Sequence, residues 1–299
     1  MTGICATLGI GRATAYRTPS PRRRHYACEG DRAVTAKIRT IVGERASDGY
    51  RRITAMVNRR FGHTHNPKRI RRVMAIHAWM LPRAAKRRHT RPHEGLVQRP
   101  RSNERWSSDA LEIACWNGEG VEVAFALDCC DRECLASVAA ARALRGDDIR
   151  RLVADAVAYR FGAGRPAPPI QWLSDNESRY TALETVRVVE RLGLTPITTP
   201  VCRPESNGIS EAFHHTLRRD DLAGADLSSA AAVLEQLPRW IADDNTFAPH
   251  SSLGMRSPAE YRRAQEVVPV QVTWCLTNRG ALQGRACECE CRAPRRQLG

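Results

Sequence analysis

The hydrophobic pattern of this chain changes period once, near Trp106, and that change limits the folds open to it. Upstream, apolar residues recur at helical spacing. "DRAVTAKIRTIVGERA" sets Val34, Ile38, Ile41 and Val42 on one stripe, and "RRITAMVNRRFG" does the same with Ile53, Met56 and Val57 before Gly62. In "NPKRIRRVMAIHAWML", Asn66 suits an N-cap and Pro67 a first helical position, with Ile70, Val73 and Met74 apolar. From Trp106 the period falls to two. "DALEIAC" places Asp109, Leu111, Ile113 and Cys115 on one face, "NGEG" at 117–120 signals a turn, and "VEVAFALDCC" resumes as a second strand. "ECLASVAA" predicts a third strand. "GDDIRRLVADAVAYRFG" predicts a helix with Ile149, Leu152, Val153, Ala156 and Val157 inward and Asp147 or Asp148 capping it. A short strand at "PPIQWLS", a helix at "TALETVRVVERLGL" ending at Gly193 and a strand at "TPITTP" follow. Two further helices come from "SNGISEAFHHTLRRDDL" and "SAAAVLEQLPRWIADDNTF", the second broken near Pro238. Strands in a run, then helix and strand in alternation, imply an α/β (α+β) chain built on a mixed sheet covered by helices.

The 299 residues divide accordingly. Residues 1–80 form a basic helical region, 81–105 a proline-punctuated basic linker, and 106–265 the sheet-containing body. Residues 266–299 lose both periods and are expected to be poorly ordered, apart from a short strand at "VVPVQVTW". Charge follows the same division. Residues 1–105 hold 25 Lys and Arg against 6 Asp and Glu, a net of +19, which leaves 22 against 26, or −4, for the remainder. Such asymmetry points to a polyanion, most plausibly nucleic acid, as partner of the front. Short helices with a basic last member suggest a helix-turn-helix-like DNA binder, in which Lys68, Arg69, Arg71 and Arg72 are the candidate contacts. An ordinary small bundle with a solubilising basic face has the same periodicity, and only the charge favours DNA.

No stretch approaches the roughly 20 apolar residues of a membrane span, and "MTGICATLGIGRATAYR" lacks the apolar run of a secretory signal. A cytoplasmic, nucleoid-associated protein is expected. The 11 cysteines are scattered and read as reduced thiols. Cys287, Cys289 and Cys291 in "CECEC" lack zinc-site spacing and read as solvated tail rather than metal ligands.

Three acids stand out by position. Asp109 shares a strand face with apolar residues, where an unpaired carboxylate is costly and needs a partner. Asp175 closes the strand "PPIQWLS", and ligands collect at strand C-terminal edges. Glu211 lies in a helix opened by "PESNG", with Asn207 one turn before it and Arg218 two turns after it on the same stripe. Two strand carboxylates plus one from a helix are the arrangement that holds two Mg²⁺ ions for phosphodiester chemistry. Taken singly, each acid is more simply a turn, a cap or a solvated helix face.

From Trp106 to about Arg263 the chain resembles the retroviral-integrase-like catalytic core of insertion-sequence transposases of the second-reading-frame (OrfB) type. The matching runs are "WSSD", "VAFALDCCDRE", "WLSDN", "PESNGISEAF" and "PHSSLGMRSPAEY", with 35 residues between Asp175 and Glu211, the spacing characteristic of that family. "GYRRITAMVNRRF" and "NPKRIRRVM" are similar to the helix-turn-helix segment that precedes such cores. The resemblance implies a ribonuclease-H-like fold with a mixed five-stranded sheet flanked by helices. It implies Asp109, Asp175 and Glu211 as a metal-binding acidic triad for Mg²⁺ (or Mn²⁺), two ions in number. It implies DNA cleavage and strand transfer at element ends, with Asn207 in the run before the glutamate and Arg218 where relatives carry a DNA-contacting Lys. The implied partners are terminal-repeat and target DNA, further copies of the chain, and the first-reading-frame protein of the same element. One departure stands inside the site. Glu177 occupies a position where relatives carry a Gly expected to permit a positive φ, and a catalytically inactive DNA-binding relic is the alternative it raises.

Overall fold

The computed structural model describes residues 28–82, 99–199 and 208–266, together with Thr7. Asn207, most of the linker, the expected strand at "VVPVQVTW" and the "CECEC" run lie outside the described residues.

Three helices open the described chain: α1 (Asp31–Glu44), α2 (Tyr50–Phe61) and α3 (Pro67–Ile76). The stripes seen in the sequence meet as one core of Val34, Ile38, Ile41, Ile53, Met56, Val57, Ile70, Val73 and Met74. At the start of α3, the Asn66 side chain accepts from the Lys68 N–H at 2.9 Å and Pro67 occupies the first turn, as the dipeptide predicts. Phe247, from the far end of the chain, packs against this same cluster.

The body is a five-stranded sheet: β1 (Arg105–Ala114), β2 (Gly120–Asp128), β3 (Cys134–Ala140), β4 (Ile170–Ser174) and β5 (Leu194–Thr198), in the order β3-β2-β1-β4-β5. The first three strands pair antiparallel, while β4 and β5 join in parallel, the ribonuclease-H-like arrangement. Parallel pairing requires a crossover, and α4 (Gly146–Phe161) supplies the one from β3 to β4. Between β4 and β5 lie α5 (Ser178–Thr181) and α6 (Leu183–Arg191). Gly193 then takes φ +83°, which strains any other residue, and a Cβ there would press on Pro166 at 3.2 Å.

Helices cover both faces. One face of the sheet, with Trp106, Ala124 and Ala126, packs against Ile149, Leu152, Val153, Ala156 and Val157 of α4. The other, with Leu111, Ile113, Val123 and Phe125, packs against α7 (Gly208–Thr216) and α8 (Ala230–Thr246). The last described helix is α9 (Pro258–Glu266).

Three local expectations need correction. The α8 helix runs unbroken through Pro238, because the proline lies on the exposed face, where water can replace the lost N–H bond. The first residues of β1 do not alternate: Trp106, Ser107 and Ser108 are all buried, since this central strand is covered on both sides. The N-cap of α4 is Arg145, and Asp148 closes the turn from within, accepting the Arg145 N–H at 2.7 Å. The charge the sequence assigned to DNA is also partly spent internally. Arg69 and Arg72 both reach Asp31, at 2.9 and 2.5 Å, whereas Lys68 and Arg71 are exposed.

Candidate active site

The sheet brings the two strand carboxylates together. In the β1–β4 pairing, Ser107 stands opposite Leu173, and extending that parallel register two residues sets Asp175 alongside Asp109. Asp109 points toward α7, the side of Leu111 and Ile113. Its carboxylate accepts the Ala110 N–H at 2.9 Å, and His214 Nε2 stands 3.8 Å from its Oδ2.

Glu211 arrives from α7, which is seated on the sheet by Ile209, Phe213 and Leu217. Phe125 and Phe213 are 4.7 Å apart between ring centroids. Beside these rings runs a polar tie: Ser107 and Ser210 hydroxyls, both fully buried, hydrogen-bond at 2.7 Å. Ser210 precedes Glu211 and Ser107 lies two residues before Asp109, so this bond ties strand to helix next to both acids. An isolated buried hydroxyl would be costly, and the pair satisfies both. Sequence periodicity had no means of finding it.

The electrostatics agree with the placement. Burial pushes the Asp109 carboxyl from 3.8 up to about 6; the Ala110 N–H opposes the shift, and the charges of Asp175, Glu177 and Glu211 add to it. Asp175 is also raised, first by burial and then by Glu177, against the Glu177 N–H and Arg179. Four carboxylates therefore share one field. His214, held edge-on to Phe125 at 5.1 Å, brings no positive charge: burial, then Arg218 and His215, lower it to about 4. Among the described residues, no three His, Cys, Asp or Glu side chains converge closely enough to hold one ion as they stand. The donor set is nonetheless all oxygen and under-neutralised, which suits a hard divalent cation.

Glu177 differs from expectation. Its φ of −64° and ψ of 144° are ordinary extended values, so the turn makes no demand for glycine. Its carboxylate pairs with Arg179, a residue the sequence reading passed over, and Arg179 also reaches Glu122 at 2.5 Å. Arg218 is exposed just beyond α7.

Comparison with known proteins accords with this geometry. Residues 99–204 and 192–258 match two families, each described as Integrase core domain. The chain is 37% identical over 260 residues to the transposase InsD for insertion element IS2 of Escherichia coli, covering 85% of each. The chain belongs to the insertion-element transposases with an integrase core. It is also 45% identical over 195 residues to an IS136 insertion-element protein of Agrobacterium fabrum, covering 65% of this chain and 100% of that one. Among solved structures it is similar to the simian T-cell lymphotropic virus intasome (14% identity, 79% and 76% of the two chains, TM-score 0.48) and to the BIV integrase catalytic core (19%, 55% and 97%, TM-score 0.40). Within this transposase no helix among the described residues is long and apolar enough to cross a membrane.

Proposed function

We propose that this transposase is a DDE polynucleotidyl transferase that cleaves DNA at the ends of its insertion element and joins them to target DNA. The observation that carries this reading is that Asp109 on β1 is buried, which raises its carboxyl to about 6, and that the charges of Asp175 beyond β4 and Glu211 on α7 reach it there. Those three residues would hold the ions; when bound, two Mg²⁺ (or Mn²⁺) supply Lewis acidity and activation of a water or a 3′-hydroxyl. The chain's own contribution is to hold the triad at fixed mutual positions, through the β1–β4 register and the Ser107–Ser210 bond. No nucleophilic side chain is required. Arg218, and Asn207 before Glu211, are the proposed DNA contacts at the core, with Lys68 and Arg71 the exposed candidates on the basic front of residues 1–80. The linker 81–105 would track the phosphate backbone. On this reading the protein acts in the cytoplasm, as an oligomer, with the element's first-reading-frame protein as a further partner.

The test is cleavage and joining of a labelled element-end duplex in Mg²⁺ or Mn²⁺ by the wild type, Asp109→Asn and Glu177→Gly. The wild type is expected to cut and join, and Asp109→Asn to do neither. If the wild type binds DNA but is inert while Glu177→Gly cuts, the inactive-relic alternative is correct; if Asp109→Asn cuts as well as wild type, the triad is misassigned.

A further inference from the structure

The apolar stripe of α7 runs into acid. Ile209, Phe213 and Leu217 face the sheet at intervals of four, and the next inward positions are Asp220 and Asp221. A regular helix would drive both carboxylates toward an apolar core. Instead the backbone widens: Leu217–Asp221 is a π turn, followed by a 3₁₀ turn at Leu222–Gly224. Such turns have poorer hydrogen-bond geometry than the α-helix and persist where something holds them.

What holds this one comes from the front of the chain. The Asp220 side chain is only 4% exposed; its carboxylate accepts from the Ser47 hydroxyl at 2.6 Å and pairs with Arg52 at 2.8 Å. Arg52 also binds the buried Asp48 at 2.9 Å, and Arg219 meets Asp220 at 2.6 Å. Seven residues to either side of Arg52, the same front fastens to the core again. Arg45 pairs with Asp243 on α8. Arg59 pairs with Glu260 on α9 at 2.6 Å and donates to the carbonyls of Phe247 and Met255 at 2.7 and 3.0 Å. The middle clasp is therefore the one that grips the continuation of the helix bearing Glu211.

We propose that Arg52, assisted by Ser47, is a positioning residue for the Glu211 helix, holding the π turn closed through Asp220. This rests on the catalytic reading of Glu211 given above. Without Arg52 the buried Asp48 loses its cation, and Asp220 keeps Arg219 from its own turn but loses its charged link to the front helices. The turn then opens, and α7 loses its distal anchor. Catalytic geometry is sensitive to this: a displacement of about 1 Å costs on the order of 10²-fold in rate.

The experiment uses the full chain with Arg52→Gln, Arg52→Lys and Ser47→Ala. Hydrogen–deuterium exchange is followed in peptides spanning residues 211–222 and, as reference, β1 and β2. Single-turnover cleavage at saturating element-end duplex and the duplex Kd are measured alongside. Arg52→Gln is expected to speed exchange in 211–222 about tenfold with the strands unchanged, and to slow cleavage about tenfold with Kd within about threefold. Arg52→Lys should recover most of both, and Ser47→Ala should show a smaller change of the same kind. Unchanged exchange in 211–222, exchange that rises equally in the strands, or a loss that falls on Kd rather than on the cleavage step overturns the proposal. If Arg52→Gln does not fold, Ser47→Ala decides by the same exchange criterion. A wild type that cuts no DNA defeats the catalytic reading, while exchange still reports on the clasp.

Discussion

Two groups of carboxylates approach each other where Asp109 of β1 and Asp128 of β2 lie three positions apart in the strand register, and they are built in opposite ways. Asp128, Asp131 and Glu133, at the β2–β3 turn, are almost wholly buried around Arg160, whose side chain is 1% exposed. Arg160 stands 3.1 Å from Asp131 and 3.0 Å from Glu133; Arg262 from α9 adds a second cation at 3.2 Å from Glu133, and the Tyr159 hydroxyl donates to Glu133 at 2.8 Å. Asp128 further accepts the N–H groups of Asn103 and Cys130, each at 2.7 Å. The other group, Asp109, Asp175, Glu177 and Glu211, lies nearer solvent, and its near cation, Arg179, is directed at Glu177 and Glu122. The first group gathers around a buried arginine, and the second has its near arginine turned to Glu177 and Glu122. Burial and acidity alone do not mark a reactive site; the test is whether the protein itself neutralises the acids.

The sharpest way to break this contrast is to remove one member of each. Asp109→Asn should lower metal-dependent cleavage by on the order of 10³-fold, with thermal stability unchanged or slightly raised, as seen by gel assay and calorimetry together. Arg160→Ala should do the reverse, leaving the buried Asp128 and Asp131 without their cation and Glu133 with Arg262 alone, and destabilising the fold by about 3–5 kcal/mol in a denaturant titration, with the cleavage rate per folded molecule little changed. If Arg160→Ala proves harmless to stability, the two groups are not different in kind.

A smaller effect is shared by the two groups in pH and separated by metal. Asp109 and Asp128 are both raised to about 6, above the ordinary 3.8. The folded chain thus binds more protons than the unfolded chain between those values, so each group costs stability as pH rises from about 4 through about 6. Asp109→Asn should remove its own part of that slope. Mg²⁺ at pH 7 should restore stability to the wild type and not to Asp109→Asn, read as a shift in Tm, because Asp128 already has Arg160. The smallest expected change is that of Glu177→Gly. Since Glu177 has an ordinary backbone conformation and is paired with Arg179, its removal should alter cleavage less than about tenfold, measured in the same assay as Asp109→Asn.

The strands and the acids on them were legible in the sequence because a half-covered strand writes its environment in alternation, as Asp109, Leu111 and Ile113 do. Where that premise failed, so did the expectation. Trp106 to Ser108 are buried on both faces and carry no period, and the strand read through "VEVAFALDCC" stops at Asp128, after which the acids turn inward onto Arg160. The basic front shows the same limit at the level of charge. Its net of +19 was set against DNA alone, yet the body's −4 offers it partners, and Arg45, Arg52 and Arg59 find them in Asp243, Asp220 and Glu260. Composition counts charges and does not say which of them meet. Glu177 looked like a lesion because a glycine was expected to mean a positive φ, which the turn does not use.

Phe247 carries a consequence for how such genes can recombine. It sits just past α8, yet its ring packs into the cluster made by the three front helices, lies 5.5 Å from the Arg45 guanidinium, and its carbonyl receives Arg59. A crossover in the linker that joined this front to the body of a distant relative would strip that ring from the edge of the front core, although the cut falls some 150 residues from the ring in sequence. A functional exchange of front and body between two elements is therefore expected to require parents that agree at this aromatic position as well as at the Arg45, Arg52 and Arg59 pairs.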